Sequence, residues 1–177
     1  MYLLLGLGNI GSEYKKTRHN FGFLVLDKII EDYNLKASGL KFSSEIFSGE
    51  IAGEKIIALK PQTYMNNSGA ALLAAVQFYK IPTNNIIVFH DDIDLPLGKI
   101  KVKIGGGNAG HNGLKSLDAV IGKDYWRVRL GVDRPINAEF DISDYVLAKF
   151  SRDEMKVVAE IVQNVSNSLI EFILNKV

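Results

Sequence analysis

The 177-residue chain contains no cysteine, which removes disulfides, a thiolate nucleophile and thiolate-bound zinc from consideration. No apolar run approaches the roughly 20 residues that span a bilayer, so no membrane association is expected. The start, Met1-Tyr2-Leu3-Leu4-Leu5, has no basic residue ahead of its apolar run, and Gly6 ends that run. No signal peptide is expected, and a reducing, cytoplasmic setting follows. Charge of one sign is scarce as well: the formal net charge is +1, so global charge does not advertise a polyanionic partner. Linkers, internal repeats and low-complexity tracts are all missing. Residues 1–177 therefore read as one domain, long enough to bury a core without metal or disulfide.

What is present alternates between strand and helix patterns. Tyr2–Leu5 is a short apolar run closed by glycines, a buried strand. Leu24, Val25, Ile29, Ile30 and Tyr33 recur at helical spacing and predict a helix over Phe21–Tyr33. Ile46–Ala52 and Lys55–Lys60 read as two strands around a turn at Gly53-Glu54. Asn67 or Ser68 is placed to cap a helix through Ala70–Tyr79. Ile86–Phe89 is another buried strand, Lys99–Ile104 alternates like an edge strand, and Arg127–Val132 is a further strand. A short helix is expected near Gly113–Val120. Ser151-Arg152-Asp153-Glu154 has the capping-box pattern and opens a helical tail carrying Val157, Val158, Ile161, Val162, Val165, Leu169 and Ile173. The fold class is α/β, a twisted mixed sheet flanked by helices in one globular domain.

Reactive residue types are few. Gly6-Leu7-Gly8-Asn9-Ile10-Gly11 and Gly105-Gly106-Gly107-Asn108-Ala109-Gly110 each fit GxGxxG. The first lacks the helix and the acid-ended strand that a dinucleotide site needs, so close approach of backbone to backbone, or to a substrate, explains it more cheaply. Asn9, Asn66 and Asp91 each follow a predicted strand. If those strands are parallel, two amides and a carboxylate line one crevice at their carboxyl ends. The chain has only three histidines, His19, His90 and His111. One held by a carboxylate would make a general base working near neutral pH, with the rate rising near pH 6–7 if its pKa is ordinary. The run His90-Asp91-Asp92-Ile93-Asp94 concentrates metal-ligand types, but H-E-x-x-H and H-x-E patterns are absent, as is the G-x-S-x-G elbow. Between Lys99 and Arg134, eight Lys/Arg residues face three Asp. That segment suits either a polyanion-binding face or a lysine-protected strand edge.

Five blocks carry a resemblance. They are Gly6–Asn9, Thr17-Arg18-His19-Asn20, Lys60-Pro61-Gln62-Thr63-Tyr64-Met65-Asn66-Asn67-Ser68-Gly69, His90–Gly98 and Gly105–Lys115. In this order and spacing they closely resemble the bacterial-type peptidyl-tRNA hydrolases from residue 6 to about 132, while the tail matches only in length and helical character. The resemblance implies that His19 is the catalytic base and Asp91 the carboxylate orienting it. Asn9, Asn66 and Asn112 match amides that bind the peptidyl ester end and help hold the attacking water. Met65 matches an apolar cleft wall, and His111 a residue near the acceptor end. Lys103 and Arg129 match a basic pair on the terminal tRNA phosphate, and Tyr14 and Tyr64 fall among the substrate- or tRNA-contacting residues. A monomer without cofactor or metal is implied, with peptidyl-tRNA as its partner. Two departures stand out. Ile10 replaces the usual proline, which predicts a looser loop under Asn9, and Asn108-Ala109 replaces a commoner His-Gly, which predicts altered contacts near His111. The residues themselves leave open a nucleotide-binding oxidoreductase and a non-catalytic RNA-binding module.

Overall fold

The computed structural model describes residues 1–175. Its centre is β1 (Tyr2–Gly6), five consecutive buried residues. An all-apolar run of this kind suits a strand covered on both faces. Parallel partners flank it, β4 (Glu54–Pro61) on one side and β5 (Ile86–Asp92) on the other. Beyond β4 lie β3 (Ser44–Ile51) and β2 (Lys36–Lys41), and beyond β5 lie β7 (Trp126–Gly131) and β6 (Ile100–Ile104). The order β2-β3-β4-β1-β5-β7-β6 gives a seven-stranded mixed sheet with β6 at one edge, as its alternation predicts. The turn between β3 and β4 centres on Ala52 and Gly53, both at positive φ, one residue earlier than expected.

Helices cover both faces. On one, α1 (Phe21–Asp32) and α5 (Arg152–Asn175) bury Phe21, Val25, Leu26 and Ile29 together with Val158, Ile161, Val162, Val165 and Leu169. On the other, α2 (Ser68–Tyr79) and α3 (Asn112–Ile121) close over Leu3, Leu5, Leu59 and Val88 with Leu72, Ala75, Leu114 and Leu117. α5 opens with a reciprocal capping box: Ser151 N donates to Glu154 Oε1 at 2.8 Å, and Glu154 N to Ser151 Oγ at 3.1 Å. α5 is also long and apolar enough to cross a membrane by length and composition, which revises the reading that no stretch approaches that size. Its apolar residues repeat at helical spacing, and that stripe packs into the core.

One expectation is corrected, and two elements are additional. Neither Asn67 nor Ser68 caps α2 through its side chain. Ser68 Oγ donates to Met65 O, and Ser116 Oγ of α3 accepts from Gly69 N at 2.8 Å instead. β2 has no counterpart in the sequence reading: as an edge strand with all six residues exposed and a bulge between Ala37 and Gly39, it carries no burial alternation. α4 (Ile142–Val146), capped by Asp141, is too short for helical periodicity to register.

The glycines at the start of the chain let α1 approach the strand ends. A Cβ on Gly22 would fall on the carbonyl oxygen of Phe89 and lie 2.7 Å from the backbone nitrogen of Leu7; one on Gly6 would lie 2.7 Å from Gly22 O. Within the first GxGxxG match, Gly6 meets backbone, Gly8 the Phe23 ring, and Gly11 turns the chain at φ 111°. Gly22→Ala is therefore expected to destabilise by about 3 kcal/mol, the upper range for overpacking, because no flexible side chain can yield. Urea unfolding of the variant reads this loss. A change within 0.5 kcal/mol, the size usual for surface substitutions, would show that α1 shifts freely.

Candidate active site

The parallel pairing of β4, β1 and β5 sends their carboxyl ends to one side, and a cleft of 540 Å³ opens there. Asn9, Met65, Asn66, Asp91, Asn112, His19 and His111 all line it, as do Tyr64, Lys103 and Arg129. Tyr14 does not. It reaches the cleft only through Tyr64, whose ring its own meets edge-on at 6.5 Å. Tyr64 is 52% exposed and has φ 58° and ψ 164°, a strained region nearly reserved for glycine, at the rim of the cleft. Met65 on one wall and Ile142, Val146 and Leu147 of the α4 region supply the apolar lining.

His19 sits in a 3-10 turn, Arg18–Asn20, directly before α1. Its position is fixed by its neighbours. Arg18 donates to the carbonyls of Tyr145 and Ala148, pairs with Glu154 at 3.0 Å and stacks on the Tyr145 ring at 4.2 Å, tying the turn to the α4–α5 junction. Asn20 Oδ1 accepts from Asn9 N at 2.8 Å, and its Nδ2 donates to Asn9 O at 2.9 Å. Asn9 Oδ1 accepts from Met65 N at 2.7 Å, which leaves the NH₂ end of that amide for a ligand. The loop under Asn9 is thus clamped by three hydrogen bonds, and Ile10 in place of proline leaves it held. Asn20 and Arg18 stand in the Thr17–Asn20 block of the sequence without an assigned role, and no spacing rule points to these contacts.

His19 is 7% exposed and Asp91 2%. His19 Nδ1 lies 2.9 Å from Asp91 Oδ2. A carboxylate only accepts, so Nδ1 carries the proton and Nε2 the lone pair. Burial alone would lower the proton affinity of His19, but the Asp91 charge and hydrogen bond outweigh it and hold the pKa above the ordinary 6.5. For Asp91 burial acts upward, yet the two facing imidazoles, His19 first and His111 next, keep the carboxyl well below its usual range. The expectation of an ordinary histidine pKa at this position is therefore not met.

The other two histidines have separate environments. His90 Nδ1 donates to Asp91 O at 2.8 Å, and its pKa is pushed down to about 4, by burial first and then by His111. His111 is the N-cap of α3: its Nδ1 accepts from Gly113 N and Leu114 N, and its Nε2 lies 2.8 Å from Asp91 Oδ1. In the glycine loop, Asn108 Oδ1 accepts from Gly110 N and Asn108 O from His111 N, so Asn108 supports the approach to His111. Ala109 adopts φ 49°, a left-handed conformation that a glycine would take at lower cost.

Among the described residues, the three that bring metal-ligand atoms within 4.8 Å of one another are His19, Asp91 and His111; of the 90–94 run only Asp91 belongs. A zinc ion at roughly 2.0–2.1 Å from each ligand would hold nitrogen and oxygen about 3.3 Å apart in a tetrahedral site. The nearest separations of 2.8 and 2.9 Å match protons between them instead.

The basic segment is more neutralised than its sequence implies. Arg127 is buried, pairs with Asp118 at 2.9 Å and donates to Gly107 O at 2.8 Å, supporting the glycine loop. Arg129 pairs with Asp92 at 2.7 Å and Arg134 with Asp94 at 2.6 Å, both acids from β5 and the loop after it. Lys103, opposite Arg127 across the β6–β7 ladder, is exposed and has no such ion pair among the described residues.

Strand-end amides, a buried carboxylate and an imidazole that it holds define a single-domain α/β hydrolytic enzyme whose cleft centres on histidine. A sequence model of the peptidyl-tRNA hydrolases matches residues 3–177. The peptidyl-tRNA hydrolase of Rickettsia canadensis is 48% identical over 177 residues, covering 99% of this chain and 95% of its own. That of Aliarcobacter butzleri is 49% identical over 169 residues, covering 96% and 90%. The crystal structure of peptidyl-tRNA hydrolase from Acinetobacter baumannii superposes with a TM-score of 0.91 at 33% identity, covering 99% of this chain and 91% of that one. The chain belongs to the peptidyl-tRNA hydrolase family, enzymes that cleave the ester joining peptide to tRNA.

Proposed function

We propose that this cleft hydrolyses peptidyl-tRNA by general-base catalysis, with His19 as base and Asp91 as its orienting carboxylate. The observation that carries the reading is the 2.9 Å contact between His19 Nδ1 and Asp91 Oδ2, which leaves Nε2 as the lone pair at the cleft. Nε2 takes a proton from water as the water oxygen attacks the ester carbonyl carbon. The imidazolium, stabilised by Asp91, returns that proton to the ribose oxygen as the carbon–oxygen bond breaks. An alkoxide leaves more readily than an amide nitrogen, so no covalent nucleophile, metal or cofactor is needed. The amides of Asn9, Asn66 and Asn112 line the cleft around this point and hold water or the developing oxyanion. Tyr64, backed by Tyr14, offers a face for a base of the acceptor end, and Met65 an apolar wall. Residues 1–177 would act as one domain, as a monomer in the cytoplasm. Incubation with N-acyl-aminoacyl-tRNA should release free tRNA; tRNA bound without turnover would leave a binding module only.

Lys103 and Arg129 would grip the terminal phosphate, but unequally. Lys103 keeps its whole charge, whereas Arg129 shares its own with Asp92. Lys103→Ala should raise KM for full-length substrate with kcat nearly unchanged, and the slope of log affinity against log salt should become shallower by about one unit. Arg129→Ala should flatten the slope less and also lower the melting temperature, because Asp92 loses its partner. A peptidyl-adenosine ester lacking that phosphate should not distinguish Lys103→Ala from wild type; equal damage on both substrates would overturn the phosphate role.

A further inference from the structure

Asp91 is shared by two imidazoles, a feature that the base-and-carboxylate mechanism does not use. Its Oδ2 faces His19 Nδ1, and its Oδ1 accepts from His111 Nε2 at 2.8 Å while also lying 3.1 Å from His19 Nδ1. The two rings lie 4.7 Å apart. The direction of the His111 contact is settled by its other nitrogen. Nδ1 accepts from Gly113 N at 3.1 Å and Leu114 N at 3.3 Å, so its lone pair is taken and the proton sits on Nε2, pointing at Asp91. Both ring nitrogens of His111 are committed, which rules it out as a second base.

Resting on the assignment of His19 as base, we propose that His111 is a positioning residue: by donating a second N–H to Asp91, it limits how tightly that carboxylate can hold the proton taken up by His19. A carboxylate that already accepts one charge-assisted hydrogen bond has less electron density to offer a second donor. His111 also stands at the N-terminus of α3, where the helix N–H groups draw on its Nδ1 and make its Nε2–H a stronger donor. The chain of influence runs from α3 through His111 and Asp91 to His19. The other charged and titratable groups of the site leave this balance to Asp91 and His111. His90, whose ring is 5.4 Å from that of His111, is neutral above pH about 4, and Asp92 is paired with Arg129. Arg18, beside His19 in the chain, is turned to Glu154. Without His111, the carboxylate would serve His19 alone, and the imidazole would remain protonated to higher pH.

Two substitutions separate the helix cap from the Asp91 contact. In His111→Asn the side-chain oxygen can replace Nδ1 as the cap acceptor, but the side chain is too short to reach Asp91. In His111→Gln the amide N–H can replace Nε2–H while the cap is lost. NMR titration of the His19 ring in the ligand-free protein should show an upward pKa shift of about one unit for His111→Asn, the size expected from losing one charged hydrogen bond. For His111→Gln the titration should stay near wild type while the melting temperature drops. The acid limb of kcat/KM should move with the His19 titration in each case. An unmoved or lowered His19 pKa in His111→Asn overturns the proposal, as does an equal upward shift in His111→Gln, which would make the cap responsible. The titration needs no substrate: coupling seen without ester turnover refutes the activity and spares the coupling, and turnover without coupling does the reverse.

Discussion

His19→Ala is expected to lower kcat by roughly 10²–10⁴-fold, the range for removal of a general base. Apolar wall, strand-end amides and Lys103 all remain, so KM and tRNA affinity should change little, and the residual rate measures what positioning alone supplies. In wild type the rate should rise with pH through the folded pKa of His19, which lies above 6.5. The variant should lose that limb. The same raised pKa dictates how stability responds. His19 binds its proton more tightly folded than unfolded, so its contribution is fully present below pH 6.5 and is lost as pH rises through the folded value. The variant's stability deficit should therefore be largest on the acid side and shrink above that value. Single-turnover kinetics and urea melts across pH test both statements, and near-normal turnover would remove His19 from the mechanism.

Asp91→Asn should be comparably damaging for a different reason. An amide matches the carboxylate in shape but presents N–H groups where two imidazoles now donate. One of them must turn or change tautomer. If His19 moves its proton to Nε2, it can no longer accept one from water, the consequence known from triad carboxylates replaced by amides. A fall of roughly 10²–10⁴-fold in kcat is expected. The acid limb of whatever activity remains should move down, because the charge that raised the His19 pKa is gone. Stability responds with the opposite sign to that of the histidine. The carboxyl pKa is depressed in the folded state, so its contribution is present above the unfolded value of about 3.9 and is lost as pH falls toward the folded one. The variant should therefore be weakest relative to wild type at neutral pH. Activity lost in EDTA and restored by a divalent ion would redirect the mechanism to metal.

Legibility from sequence followed burial. β1 and the apolar Ile86–Phe89 part of β5, covered on both faces, announced themselves, and α1 and α5 did so by their stripes. β2 and α4 did not, one because exposure on both faces removes alternation and the other because five residues give no period. The strand-end placement of Asn9, Asn66 and Asp91 was readable given parallel pairing, which the topology supplies. The pairing of side chains was not. That Asp92 rather than solvent faces Arg129, or that Asn20 clamps Asn9, depends on cross-strand and turn geometry to which no spacing rule points.

The strand order has a consequence in time. β1 is made first but is completed only by β4 and β5, and His19 waits for a carboxylate 72 positions later in the chain. Pairings this distant cannot nucleate locally, so the site belongs to the late, slow part of folding. At about 5–20 residues per second, roughly 4–14 s separate the synthesis of His19 from that of Asp91. Throughout that interval the nascent chain is itself a peptide esterified to tRNA, and its His19 has no Asp91 to face.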